Sequence, residues 1–312
     1  METELYKSRS LSSCMKAAYD LFSTNIRTII RRTWLPALIF SVLAAISMVL
    51  LSDNVYQESS TTALTAKTIV TNIIAVVLCI VAIAADVWFD AIIISLLNGF
   101  SMKKNLPRVI RLTLLMIVLA IIVTIVSSAA SILPFVGAGK KGISDEAIYI
   151  SSAISIGIYA LYIIAIIPIL YSSMKYLVEP EQKVMSVIGK PYRAGWRHFG
   201  YLFLICLVAG IIMSIIYIIV SMPATVTNFA SMVNAEGISL GDPNGLPGYF
   251  KPLAALAILI ASFVMIYVGA WFTIIGYYAY GHIEYKERER NERKTAIQKT
   301  TTQVEPDFEE VK

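Results

Sequence analysis

The sequence predicts an all-α fold, a polytopic membrane protein with a six-transmembrane-helix bundle and an N-terminal amphipathic interfacial helix. Two observations predict it. Hydrophobic residues make up 57% of the 312 residues and charged residues only 15%, against about 25% charged residues in a typical soluble domain. The charges also cluster between long apolar runs, as expected where unpaired charge is costly in hydrocarbon.

The segment before the first apolar run, residues 1–33, predicts a helix that lies on the membrane surface. Ser10 is placed to cap its start. Lys16, Arg27 and Arg31 lie around the rest of that helix, where they would bind the anionic lipids of the inner leaflet before the chain turns into the bilayer. Docking to a partner subunit is the alternative. The apolar residues recur at helical spacing: Leu11, Met15, Ala18, Phe22, Ile26 and Ile29.

Six apolar runs reach the length of about 20 residues that a helix needs to cross the bilayer. They are far too long and uniform for the short alternating strands of a β-barrel. No signal peptide is expected, since 33 residues precede the first run and that run has no small-residue cleavage pattern. The spans of this membrane domain, residues 34–283, are predicted at about 34–52, 69–97, 109–135, 148–177, 201–222 and 252–280.

Two further segments extend the predicted spans. Residues 284–294 alternate acids and bases at helical spacing, which predicts a solvated extension of the last helix, and the remainder of the tail to residue 312 predicts disorder. After the fifth span, residues 224–234 suit a short surface helix within the longest outer connection. A lid over an outward pocket and a plain external loop are both compatible with that connection.

The placement of Lys and Arg predicts that both chain ends are cytoplasmic. Of the 26 cations, 22 belong to one side: they fall before the first span, between spans two and three, between spans four and five, or after the sixth, with Arg111 and Lys175 just inside the adjoining span ends. By the positive-inside rule this side faces the cytoplasm, and a bacterial cytoplasmic (inner) membrane is expected. The same rule accounts for the net charge of +5, so the charge does not indicate a nucleic-acid partner.

Asp86 and Asp90 are the most unusual residues for lipid. Four residues apart, they share one helix face, about 6 Å from each other. An ionised carboxylate in the hydrocarbon costs several kcal/mol unless it is paired, hydrated or protonated, and two close carboxylates do not easily ionise together. This pair could carry protons or hold a cation. Alternatively, Asp90 lies at the headgroups and pairs with Arg111 or Lys175, so that the aspartates merely fix helix packing.

Pro168 interrupts the fourth span and predicts a helix kink, because proline lacks the N–H that bonds the preceding turn. A kink can open a polar niche for a ligand, but kinks are also routine in membrane helices.

Other sites are not indicated. The sequence contains no GxSxG, HExxH or GxGD motif, and its three cysteines and two histidines form no cluster, so neither a metal nor a cofactor is predicted. Two function classes follow. One is a transporter or permease-like protein or subunit, favoured by the aspartate pair. The other is a non-catalytic membrane scaffold or assembly factor, with a protein partner or a second copy of the chain. An enzyme ranks third, because no nucleophile with a base can be named.

Overall fold

A computed structural model describes residues 5–58, 66–135, 145–241 and 245–303. Within these ranges the chain is helical and contains no strand, which confirms the predicted all-α class. In the described part of the chain, short 3-10 helices at Leu133–Phe135 and Val184–Ile188 follow the third and fourth long helices. The α-helices are α1 (Leu11–Glu58), α2 (Ala66–Asn98), α3 (Met102–Ile132), α4 (Asp145–Val178), α5 (Lys190–Arg197), α6 (Phe199–Ser239) and α7 (Phe250–Gln303).

Six of these helices, all except α5, are long and apolar enough to cross a membrane. Each contains most or all of one predicted span and extends beyond it. The sixth is a clear case, since α7 continues to Gln303 through the charged residues that were expected to extend it. Hydropathy detects only the apolar part of a helix, whereas backbone hydrogen bonding continues into polar surroundings. The residues after Gln303, where disorder was predicted, lie outside the described ranges.

The N-terminal segment does not form a helix separate from the first span. Ser10 caps α1 as predicted, since its Oγ accepts a hydrogen bond from the backbone N–H of Ser13 at 3.3 Å. From Leu11 the helix then continues to Glu58 with Pro36 in its interior. No break therefore separates the N-terminal segment from the first span, because a proline removes one backbone hydrogen bond from a helix without ending it when the flanking residues still favour the helix.

The fifth span is likewise longer than expected. Residues 224–234 do not form a separate surface helix, because α6 passes through Pro223 and ends at Ser239. This extension matters for the site, since it carries polar residues on the same helix as the apolar span.

The chain divides into two compact units, and the first comprises residues 1–18, 115–206 and 275–312. In this unit α5 packs closely on α4. A side-chain carbon added to Gly195 would lie 2.6 Å from the carbonyl oxygen of Pro168. The hydroxyl of Tyr192 donates to the carbonyl of Ala165 at 2.9 Å, one turn before the proline. Pro168 thus lies in a helix that remains continuous, and a neighbouring helix covers it.

The N-terminal residues of the first unit pack on α7. A side-chain carbon on Gly281 would lie within 3 Å of backbone and side-chain atoms of Leu5, so only glycine permits this approach. The backbone N–H of Arg9 donates to Nδ1 of His282 at 2.9 Å, and the guanidinium of Arg9 lies 4.8 Å from the ring centre of Tyr278. The segment is held by contacts that hydropathy does not indicate.

The second unit comprises residues 19–114 and 207–274. Its core joins three helices, and the ring of Phe89 on α2 meets that of Tyr267 on α7 edge to face at 5.5 Å. Such aromatic contacts orient helices as well as burying area. The buried core residues are Ile29, Ala37, Phe89, Ile93, Ile266 and Ala270.

Candidate functional site

Asp86 and Asp90 both line a cavity of about 520 Å³ in the second unit, hereafter the acidic cavity. They lie on one face of α2, and the core contact of Phe89 with Tyr267 holds that helix beside α7. The other walls come from α1, α6 and α7. The lining residues are Phe40, Ala44, Met48, Asp86, Asp90, Tyr217, Ser221, Ala224, Thr225, Asn228, Ile258, Ala261, Ser262, Met265, Ile266, Gly269 and Thr273.

Small residues on the facing helices create the space. Ala44, Ala224 and Ala261 each contribute only a methyl group to the wall, and Gly269 contributes none. A side-chain carbon added to Gly269 would meet nothing within 4 Å. Larger residues at these positions would project into this space and reduce the volume of the cavity.

The two carboxylates have no protein counter-charge within the described ranges. No described side chain donates a hydrogen bond to Asp86 or Asp90 or forms an ion pair with either of them, and the negative charge of Asp86 acts on Asp90. Both side chains are half-buried. Like charges that are four residues apart on a helix repel each other. A bound cation, a proton or water would reduce this repulsion.

Neither of the two expected counter-charges pairs with the aspartates. The ammonium of Lys175 lies 2.7 Å from Glu284 and 3.3 Å from Glu179, both within the first unit. Arg111 is exposed and pairs with no described residue. Lys175 therefore pairs with acids of its own unit that follow the apolar runs of α4 and α7.

Hydroxyl groups line the same cavity as the aspartates, and three of them donate their hydrogen to a backbone carbonyl. Thr225 donates to the carbonyl of Ser221 at 3.1 Å, Thr273 to that of Gly269 at 3.2 Å, and Ser262 to that of Ile258. Each is the bond that a helical Ser or Thr makes to the preceding turn. The oxygen lone pairs of these hydroxyls stay available as acceptors.

Sequence reasoning found the aspartates but missed the hydroxyls and the residues of the α6 extension. Thr225 and Asn228 fall within the segment that was expected to lie on the surface. A signal was present, because Ser221, Thr225 and Asn228 recur at spacings of four and three and so share one face of a helix. Pro223 lies between Ser221 and Thr225 and does not end α6.

A second polar cluster lies in the first unit, beside a cavity of about 390 Å³. The hydroxyl of Tyr171 donates to Glu284 at 3.0 Å, and Glu284 also pairs with Lys175. Arg197 and His198 both bond Glu287. Glu284 was predicted to be solvated but is buried, because helical spacing alone does not reveal that α4 and α5 face it. The acids and bases of this cluster neutralise each other, as expected of a structural network.

Among the residues that the structure describes, no group of three or more His, Cys, Asp or Glu side chains could hold a metal ion. The acidic cavity therefore offers two carboxylates and neutral oxygens. No family model matches the sequence, and neither the curated proteins nor the solved structures contain a match.

Proposed function

We propose that this chain is a transporter- or permease-type membrane protein, or a subunit of one, that binds a cation or a proton at Asp86 and Asp90. The observation that supports the proposal is the acidic cavity itself. Two neighbouring carboxylates line an open space in helices that are apolar enough to cross a membrane, and no described cation pairs with them.

The energetic argument favours binding over a packing role. A carboxylate held in an apolar helix costs several kcal/mol unless something compensates its charge. An aspartate that fixes helix packing would have a lysine or arginine partner, as Glu284 has Lys175. Asp86 and Asp90 have instead a cavity large enough for a small solute and its water. The scaffold alternative lacks a comparable observation.

The proposed orientation places both chain ends in the cytoplasm of a bacterial cell, with the protein in its cytoplasmic membrane. The 22 cations on one side of the predicted spans support this orientation. The N-terminal half of α1 then lies at the inner leaflet, where its exposed Arg27 and Arg31 attract anionic lipids.

Thiol labelling tests whether the acidic cavity belongs to a pathway. In a variant without its three native cysteines, Ser262→Cys places a thiol in the cavity wall, and Ile260→Cys places one on an exposed apolar position of the same helix. In right-side-out and inside-out membrane vesicles, a cationic methanethiosulfonate that cannot cross lipid should label the Ser262→Cys variant and not the Ile260→Cys variant. Labelling from both sides supports a permeation pathway.

The aspartates should also determine which reagent reacts. Adding Asp90→Asn should slow labelling by the cationic reagent more than labelling by an anionic reagent of similar size, because only the cation is attracted by the carboxylates. If Ser262→Cys is unreactive from both sides, the cavity is closed to water. The scaffold alternative would then replace the proposed function.

A further inference from the structure

The polar groups of the acidic cavity are mostly hydrogen-bond acceptors. Ionised carboxylates only accept, and Thr225, Ser262 and Thr273 have given their hydrogens to backbone carbonyls of their own helices. Tyr217, Ser221 and Asn228 also line the cavity, and each has an oxygen that accepts hydrogen bonds as well as hydrogens that can be donated. The complementary occupant carries positive charge and several hydrogen-bond donors.

The size and composition of the cavity disfavour a bare metal ion. Hard cations such as Ca²⁺ take about 6–8 oxygen ligands at about 2.3–2.6 Å, which requires a tight shell. The cavity instead measures about 520 Å³, well within the range of about 300–1,000 Å³ of pockets for organic ligands. Two carboxylates in such a volume leave room for the body of an organic cation.

The remaining wall is apolar. Phe40, Met48, Ile258, Met265 and Ile266 line the cavity together with the alanines. Methionine side chains adapt their shape to irregular ligands, and an aromatic ring adds a face that attracts cations. The apolar wall and the acceptor oxygens of the cavity together suit a molecule with a positively charged head group and a hydrocarbon body.

We propose that the occupant of the acidic cavity is an organic ammonium compound, with N–H donors directed at Asp86 and Asp90 and an apolar body against the methionine and isoleucine side chains. This inference rests on the proposed function and names the class of its substrate. It distinguishes primary and secondary amines from quaternary ones, since a quaternary ammonium has the charge but no N–H to donate.

Matched probe pairs test this distinction with the purified full-length protein in detergent. The primary ammonium members are butylammonium, 2-phenylethylammonium and 1,4-butanediammonium, and each is paired with its fully N-methylated derivative. Isothermal titration calorimetry gives Kd for all six, and sodium and potassium chloride are titrated beside them. In at least one pair the primary ammonium should bind roughly ten-fold or more tightly than its methylated partner, because charge-assisted hydrogen bonds are lost on methylation.

Two sets of variants locate the binding. Gly269→Leu fills the cavity and should weaken binding of the preferred probe, whereas Gly210→Leu, at a helical glycine that also has open space around it but does not line the cavity, should leave Kd unchanged. The Asp86→Asn, Asp90→Asn double variant should abolish the preference for the primary ammonium. Far-ultraviolet circular dichroism and elution volume check that each variant is folded.

The outcomes separate this inference from the proposed function. If sodium, potassium or both members of a pair bind equally well and the double variant loses that binding, the site takes cations but the ammonium inference is wrong. If no pair shows a preference and Gly269→Leu has no effect, the inference is also wrong. If no cation binds and Ser262→Cys is closed to water from both sides, the proposed function fails together with it.

Discussion

The ammonium nitrogen of Lys175 lies 2.7 Å from Oε2 of Glu284, although 109 positions separate the two residues in the sequence. The pair connects α4 with α7 inside the first unit. The side chains are 18% and 12% exposed, so water compensates little for the loss of either partner. Tyr171, Glu179 and Arg288 add further contacts to this pair.

Loss of one member of this pair should destabilise the protein measurably. Glu284→Ala leaves Lys175 half-buried beside Glu179 alone, and we expect a loss of about 1–3 kcal/mol, below the value of about 3–5 kcal/mol for fully buried pairs. Thermal unfolding in detergent, followed by circular dichroism, measures the change. The double variant Lys175→Ala, Glu284→Ala should cost less than the sum of the single changes.

Arg293→Ala provides the control, because Arg293 pairs with Glu289 on the surface of α7 and its side chain is 75% exposed. Removal of such an exposed pair should change stability by less than about 1 kcal/mol. Strictly additive effects of Lys175→Ala and Glu284→Ala would contradict the pairing.

The close packing of α5 on α4 should require glycine at position 195, because any side chain there would meet Pro168. In Gly195→Ala the new methyl group would meet the carbonyl oxygen and ring of Pro168, so α5 must shift. We expect a loss of about 1–3 kcal/mol, typical of overpacking, in the same thermal unfolding measurement. Gly200→Ala, where the added carbon meets nothing, should be neutral or slightly stabilising. Equal stability of the two variants would show that α5 does not pack on Pro168.

Gly281→Ala should release the N-terminal segment from α7. The added methyl group collides with Leu5, and the hydrogen bond from Arg9 to His282 lies next to that contact. Limited trypsin digestion should then cut faster after Lys7 and Arg9 than in the unmodified protein, because local opening exposes the backbone to protease. Gly210→Ala serves as the control and should not change the cleavage rate. Unchanged cleavage in Gly281→Ala would argue against the contact.

Asp90→Asn should stabilise the protein, in contrast to the loss expected for Glu284→Ala. The substitution removes a half-buried charge that lacks a described counter-charge and lies beside Asp86. We expect a gain of roughly 0.5–2 kcal/mol, since strained binding groups often lower stability. Asp20→Asn, on an exposed residue, should have no effect. A large destabilisation by Asp90→Asn would instead indicate that Asp90 has a packing role.

The sequence predicted the two aspartates of the candidate site but none of the residues that form the other walls of the cavity. Asp86 and Asp90 were identifiable because carboxylates inside an apolar run are rare and expensive. Thr225, Ser262 and Thr273 could not be identified in this way. Hydroxyl residues are common in membrane helices, where they donate a hydrogen bond to a backbone carbonyl of their own helix. Which of them face the aspartates depends on the rotation of α6 and α7 about their axes.

The same limit explains the missed network of the first unit. Glu284 follows the last apolar run and has the local sequence of a solvated helix. Its burial arises from Tyr171 and Lys175, which lie more than one hundred positions earlier. The spacing of hydrophobic residues within a single helix does not reveal contacts with residues so far away in the sequence.

The sequence by itself determined the helical class and the six apolar helices, because the length and hydrophobicity of each run are local properties and hydrocarbon accepts only internally bonded backbone. Tertiary structure decided that Lys175 pairs with Glu284, that Pro168 packs against Gly195, and that Asp86 and Asp90 line a cavity. These features depend on which faces of distant helices meet. That choice follows from the packing of the whole chain and not from any one segment.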